Sequence, residues 1–359
     1  MASLDDTKVI EKLDLDGMGP DIHDLPDQIE AAWKSFKGIS VPTHYVQARQ
    51  ILILGMGGSA IGGELAAALA SPTASVPIEV RRDYGIPGYV NKDTLVIGVS
   101  YSGNTEETLD AFRLSAAKGA KLIAVSTGGE ISSLARKFQI PLLTIDYGSQ
   151  PRAALGYLFG AVLVILAKLR HLEIDDRAIS ETAVLMRGFD SKLAPNVPLA
   201  DNLAKQIATK LKERIPLIIG AGPIATVARR WKTQMNENGK VAAVAETMPE
   251  LCHNVVVGLQ KVYRQRDFLL PIFLNSNFNH PRNALRMSII SHQFAAAKLP
   301  VENIYIQPAG TLLSEALQLI QLGDYTSFYM AIQAGADPTE ITSIIQLKKE
   351  LDAQPWQGK

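Results

Sequence analysis

Twice in this chain a short apolar run stops at a glycine-rich turn that opens a helix. The first copy reads ILILGMGGSAIGG from Ile51 and the second PLIIGAGPIATVA from Pro216. Unbroken runs of Ile, Leu and Val suit strands covered on both faces, the environment of a parallel sheet flanked by helices. Ile51–Leu54, Ile78–Arg81, Leu95–Ser100, Lys121–Ser126 and Pro141–Ile145 are such runs, with helical stretches Ala60–Ala70, Thr105–Ala117 and Ile131–Phe138 between them. The alternation predicts an α/β fold built from βα units.

The polar stretch Asp175–Pro198 marks a junction, and the pattern then restarts. Strands are expected at Ile215–Gly220, Val241–Ala245, Phe268–Leu274 and Asn303–Gln307. Helices are expected over Ile224–Asn236, Pro281–Ala297, Thr311–Ala334 and Thr339–Leu351. The organisation expected is an acidic arm and helix over residues 1–40, one α/β domain over 41–190 and a second over 191–359. Residues 1–30 hold nine acidic and two basic residues. They read as a solvated arm broken at Gly17, Gly19 and Pro20 and followed by a helix over Asp27–Phe36.

Composition excludes several classes. The chain has 359 residues, with 36 Lys+Arg balancing 36 Asp+Glu. No general basic field is available for nucleic acid or an anionic membrane, although a local site for a small anion needs none. One cysteine, Cys252, permits no intrachain disulfide and no cysteine-rich metal site. With an acidic N-terminus lacking a secretory pattern, this suggests a reducing, cytoplasmic setting. The apolar run Ala153–Ala167 is shorter than the roughly 18–20 residues of a membrane span and suits a buried helix.

Two loops carry chemistry. Gly55–Gly63 joins a strand to a helix, where backbone amides and the helix dipole can hold an anion. Gly57, Gly58 and Ser59 lie at its centre. The same turn loosely fits a dinucleotide fingerprint, with Arg81 and Arg82 placed for a 2′-phosphate, so an NADP-dependent oxidoreductase is one alternative. The second loop, SYSGNTEET from Ser100, clusters the hydroxyls of Ser100, Ser102 and Thr105 where a strand meets a helix. Neutral hydroxyls, amides and a helix N-terminus can hold a phosphate dianion. Asn104 or Thr105 can at the same time cap the helix, with Glu106 and Glu107 complementing its dipole rather than facing a phosphate.

GMGGSAIGG followed by SYSGNTEET resembles the sugar isomerase (SIS) domain, which is flavodoxin-like and binds phosphorylated sugars. PRAALGY from Pro151, NENGK from Asn236, MPELCHN from Met248 and LKKEL from Leu347 narrow the resemblance to the bifunctional phosphoglucose/phosphomannose isomerase branch. The resemblance implies two SIS domains, a homodimer, sugar-phosphate substrates and no cofactor or metal. It implies phosphate binding by Ser100, Ser102 and Thr105, with Gly57, Gly58 and Ser59 on the sugar side. Glu237 matches the proton-transfer glutamate, and Arg152 the group that stabilises the enediolate. His253 matches a ring-opening histidine supplied across the dimer interface, and Lys348 assists it, with the adjacent Lys349 also open. The residue that admits either C2 epimer is left between Thr339 and Thr342. A sugar-phosphate sensor without catalysis is the other alternative, although a sensor has no need of the Arg, Glu and His set. Cys252 reads as a small packed residue rather than a nucleophile, and the remaining histidines show no metal-ligand spacing.

Overall fold

The protein is described from a computed structural model that covers residues 3–260 and 268–354. Helices α1 (Thr7–Leu13), α2 (Met18–His23) and α3 (Leu25–Phe36) open the chain. The first α/β unit follows as β1 (Gln50–Leu54), α4 (Gly57–Ala70), β2 (Ile78–Arg81), β3 (Thr94–Val99), α5 (Glu106–Ala117), β4 (Lys121–Ser126), α6 (Gly129–Phe138), β5 (Leu142–Thr144) and α7 (Leu155–Lys168). Helices α8 (Asp176–Asp190) and α9 (Leu203–Lys210) lead to the second unit. It comprises β6 (Ile215–Ala221), α10 (Ile224–Glu237), β7 (Val244–Met248), α11 (Val255–Gln260), β8 (Leu269–Leu274), α12 (Pro281–Ala296), β9 (Glu302–Ile304), α13 (Leu312–Ala334) and α14 (Thr342–Asp352).

All strand pairs are parallel. The first sheet has the order β2-β1-β3-β4-β5 and the second β7-β6-β8-β9. The first is the flavodoxin-like order, and the second repeats it with one strand fewer. Helices cover both faces of each sheet, as the unbroken apolar runs require.

Strand alternation sorts the core into layers. Ile51 and Ile53 of β1 face a cluster shared with α3, α4 and α7, and this cluster continues through Ile218, Trp231, Ile272 and Phe328 into the second unit. Leu52 and Leu54 face the other way, against Leu109 and Phe112 of α5. Leu217, Ile219 and Phe273 do the same against Met287 and Phe294 of α12. The two sheets therefore present one face each to a common central core.

The N-terminal segment keeps its acidic residues exposed or half-buried, as expected, but is more ordered than an arm. It forms three helices, with Gly19 and Pro20 inside α2, where proline is tolerated in a first turn. Leu4, Ile10, Met18 and Ile22 are buried. Its charges hold other elements: Asp5 accepts from the buried Lys205 ammonium at 3.1 Å, and His23 Nδ1 lies 2.6 Å from the buried Asp190 carboxylate. The strand expected at Val241–Ala245 begins three residues later. Lys240 takes φ 57°, and the chain turns there before it extends. Helix α14 likewise starts at Thr342 rather than Thr339, because residues 337–341 form a strap described below.

His171, just after α7, is buried, and neither ring nitrogen has a hydrogen-bond partner among the described residues. Burial lowers its pKa below the ordinary 6.5, since the charged imidazolium has nothing to replace its water. The unfolded chain therefore takes up this proton more readily than the folded one. The associated stability is complete above about pH 6.5 and declines as the pH falls. A His171→Leu variant is expected to lose less stability than the parent between pH 7.5 and 5, measured by urea denaturation.

Candidate active site

In the first sheet the strand order reverses between β1 and β3, so the loops leaving their C-terminal ends diverge and leave a crevice. These are the Gly55–Ser59 and Ser100–Thr105 loops. They are joined where the Tyr101 amide donates to Ser59 Oγ at 3.2 Å. Ser100 is fully buried, and its hydroxyl lies 2.9 Å from Thr105 Oγ1. Thr105 occupies the N-cap position of α5, yet its hydroxyl makes no capping bond and instead pairs with Ser100. Asn104 reaches instead to the next helix, where Oδ1 accepts from the Glu130 amide at 2.9 Å. The first-turn amides of α5 thus keep no side-chain cap, and Ser102 stands exposed beside them. Gly103 has φ 72°, and a Cβ there would lie 1.9 Å from the Gly128 carbonyl, so only glycine permits this turn.

Gly58 connects this crevice to Arg152. A Cβ on Gly58 would meet the Pro151 carbonyl at 2.8 Å and Arg152 Cα at 3.1 Å. Arg152 precedes α7 and is only 2% exposed. Its Nε donates to Asn238 Oδ1 at 2.7 Å, and its Nη2 to the carbonyls of Pro338 and Thr339 at 3.1 and 3.0 Å. Its Nη1 lies 3.8 Å from Glu237 Oε2. Burial lowers its proton affinity, Glu237 raises it in return, and a guanidinium stays charged at neutral pH. Glu237 is the last residue of α10, with its side chain partly accessible.

Several supports were not singled out from the sequence. Gln28 of α3 spans the start of α7, donating to the Ala153 carbonyl at 2.9 Å and accepting from the Gly156 amide at 3.0 Å. Asp21 of α2 receives the Tyr147 hydroxyl at 2.7 Å and is also bonded by Ser149, so it holds the loop that leads to Arg152. Lys240 donates to the carbonyls of Glu237, Pro338 and Glu340 at 2.7, 3.3 and 2.5 Å. Burial and the nearby Arg152 both lower its pKa. The strap 337–341 is therefore pinned by two cations. No periodic signal marks these contacts, because every partner except the Glu237 carbonyl bonded by Lys240 is distant in the sequence.

Not every expected residue joins this cluster. His253 sits on a short 3-10 turn after β7 and is exposed. Lys348 and Lys349 are exposed on α14, none of whose residues is buried. Among the described residues, neither His253 nor these lysines bond to Arg152 or Glu237. Thr339 is 3% exposed, and its hydroxyl is buried without a partner among the described residues, while Thr342 is exposed. Cys252 is half-buried with its sulfur against that of Met248 at 3.5 Å. Arg82 pairs with Glu64, and Arg229 joins the same carboxylate at 3.3 Å.

The second sheet reverses between β6 and β8 and leaves an equivalent crevice, but the chain fills it. Glu315 of α13, 1% exposed, accepts from the Asn277 amide at 3.1 Å, from Asn277 Nδ2 at 3.2 Å and from the Ser276 hydroxyl. An internal carboxylate stands at the position corresponding to the open hydroxyl loop of the first sheet.

Two family models match the chain. A SIS domain model matches residues 44–162, and a model of the bacterial phospho-glucose isomerase C-terminal SIS domain matches residues 200–351. The bifunctional phosphoglucose/phosphomannose isomerase of Caldicellulosiruptor bescii is 39% identical over 331 residues, covering 92% of this chain and 97% of its own. That of Thermoplasma acidophilum is 34% identical over 301 residues, covering 84% and 89%. A solved structure of a hypothetical protein from Thermus thermophilus shares the fold with a TM-score of 0.73 at 16% identity, over 98% of this chain and 94% of that one.

A Glu315→Ala variant leaves the donors of Ser276 and Asn277 buried and unpaired. It is expected to lose about 1–3 kcal/mol of stability in chemical denaturation.

Proposed function

Because the chain belongs to the SIS-domain bifunctional phosphoglucose/phosphomannose isomerase family, we propose that it interconverts glucose 6-phosphate and mannose 6-phosphate with fructose 6-phosphate. The observation that carries this reading is the pairing of Arg152 Nη1 with the Glu237 carboxylate at 3.8 Å, beside Gly58 and the hydroxyl loop. An aldose–ketose isomerase needs a base that moves a proton between C1 and C2 and a cation for the charge that develops on oxygen.

In this mechanism the phosphate is held by Ser102, Thr105, the amides of α5 and Ser100 behind them. Gly57, Gly58 and Ser59 line the sugar. Glu237 takes the proton from C2 of the open-chain aldose, and the C–H electron pair forms the C1–C2 double bond as the carbonyl oxygen gains charge. Arg152 stabilises the resulting cis-enediolate. A proton passes from the C2 hydroxyl to O1, and Glu237 then returns its proton to C1 as the C2 carbonyl forms, giving the ketose. A planar enediolate has no C2 configuration, so the same intermediate serves both epimers. His253 protonates the ring oxygen during opening, aided by Lys348.

Since His253 and Lys348 face solvent within one chain, the mechanism requires a homodimer in which a second copy supplies His253. The exposed apolar residues Ile344, Ile345, Leu347 and Leu351 of α14 support such an assembly. Lys348 lies four residues after Ile344 and three before Leu351, on the same helical face, whereas Lys349 lies to one side. This favours Lys348 over its neighbour. A cytoplasmic location fits the composition, and no helix among the described residues is long and apolar enough to cross a membrane.

Coupled assays supplying glucose 6-phosphate and mannose 6-phosphate separately, in the presence of EDTA, should show turnover of both. Turnover of mannose 6-phosphate alone, abolished by the chelator, would contradict the proposal. Glu237→Gln is expected to lower kcat by about 10²–10⁴-fold while fructose 6-phosphate still binds. Binding without turnover in the parent protein would leave a sugar-phosphate sensor instead.

A further inference from the structure

We propose that Asn238 is a positioning residue that aims the Arg152 guanidinium at the reacting sugar, an inference that rests on the isomerase reading above. A guanidinium is a rigid planar fork. Fixing Nε and Nη2 therefore fixes the direction of Nη1. Asn238 holds Nε, the carbonyls of Pro338 and Thr339 hold Nη2, and Nη1 alone is directed toward Glu237.

The aim is only as good as the orientation of the Asn238 amide, and that orientation is determined from behind. Asn238 is 0% exposed. Its Nδ2 donates to Ser327 Oγ at 3.2 Å, and the Ser327 hydroxyl donates to the Asp324 carbonyl at 2.7 Å. With the nitrogen committed to Ser327, the oxygen must face Arg152. The same turn of α13 anchors the arginine's backbone. Asp324 accepts from Arg230 Nε at 3.2 Å and Nη2 at 2.8 Å, and Arg230 Nη2 also donates to the Arg152 carbonyl at 2.7 Å. Main chain and guanidinium of Arg152 thus trace to one turn of α13. Asn238 is also the residue after Glu237, so a single helix end places the base and directs its cation.

This arrangement predicts a particular kinetic signature. Losing the aim weakens stabilisation of the enediolate and leaves phosphate binding intact, because the hydroxyl loop is separate. Asn238→Ala should lower kcat about 10–100-fold, as small misplacements at a reacting centre do, with the KM for fructose 6-phosphate within about 3-fold. Affinity for a hydroxamate analogue of the enediolate should fall by the same factor as kcat. A double-mutant cycle isolates the route. Lysine has no planar fork for Asn238 to orient, so Asn238→Ala should cost less than about 3-fold more in an Arg152→Lys background. Ser327→Ala frees Nδ2 and should reproduce part of the kcat loss at constant KM. It carries the test if circular dichroism shows that Asn238→Ala does not fold. Unchanged kcat in the folded variant, a loss appearing in KM alone, or fully additive losses in the cycle would overturn the role of Asn238. A parent protein without isomerase activity would instead overturn the reading on which it rests.

Discussion

A buried cation between two α/β domains organises this molecule. Arg152 belongs to the first unit, yet its fixed guanidinium donors end on Asn238, Pro338 and Thr339 of the second. A charge withdrawn from water is tolerated only when its donors are satisfied in good geometry. The two domains are therefore held in one register as firmly as the arginine is satisfied. Behind it, burial raises the pKa of Asp324, and Arg230 opposes the shift by pairing with it. This polar core is set in the apolar core that both sheets share, where an unpaired group would be costly.

The acidic N-terminal segment gains its purpose from the same constraint. Arg152 sits in a turn between β5 and α7, and turns are where backbone position is least determined by repetitive hydrogen bonds. Asp21 fixes the approach to that turn through Tyr147 and Ser149, and Gln28 fixes its exit into α7. The segment's carboxylates do keep contact with solvent, as its charge count suggested, but its apolar residues pack into the core and specific carboxylates end on specific partners.

The two sheets share a strand order but not a use. Both open a crevice where that order reverses. In the first, hydroxyls and helix amides remain available. In the second, Glu315 supplies from within the chain the negative charge that an external anion would bring. The difference lies in one side chain on α13, a helix that also carries Asp324 and Ser327. One long helix thus closes one crevice and supports the residue that faces the other.

Much of the fold was legible in the sequence because parallel strands and amphipathic helices are local patterns. β2 and β4 fall where their apolar runs predict, and α10 ends within one residue of its expected limit. The hydroxyl loop was legible for the same reason, since strand, hydroxyls and helix start lie within ten residues. The differences occur where distant contacts override local preference, as at Lys240, which bonds the carbonyls of Pro338 and Glu340 where the chain turns before β7, and at the strap that postpones α14. Ser100 and Thr105 were visible as hydroxyls, but neither their bond to each other nor the absence of a Thr105 cap was. The sequence alone determined the elements, the glycine turns and the types of group available for chemistry, because these depend on neighbours along the chain. Only the tertiary structure decided that Arg152 meets Glu237 across 85 positions, that Asn238 directs it and that Glu315 fills the second crevice. Those pairings exist only where the packing of two domains removes water from between them.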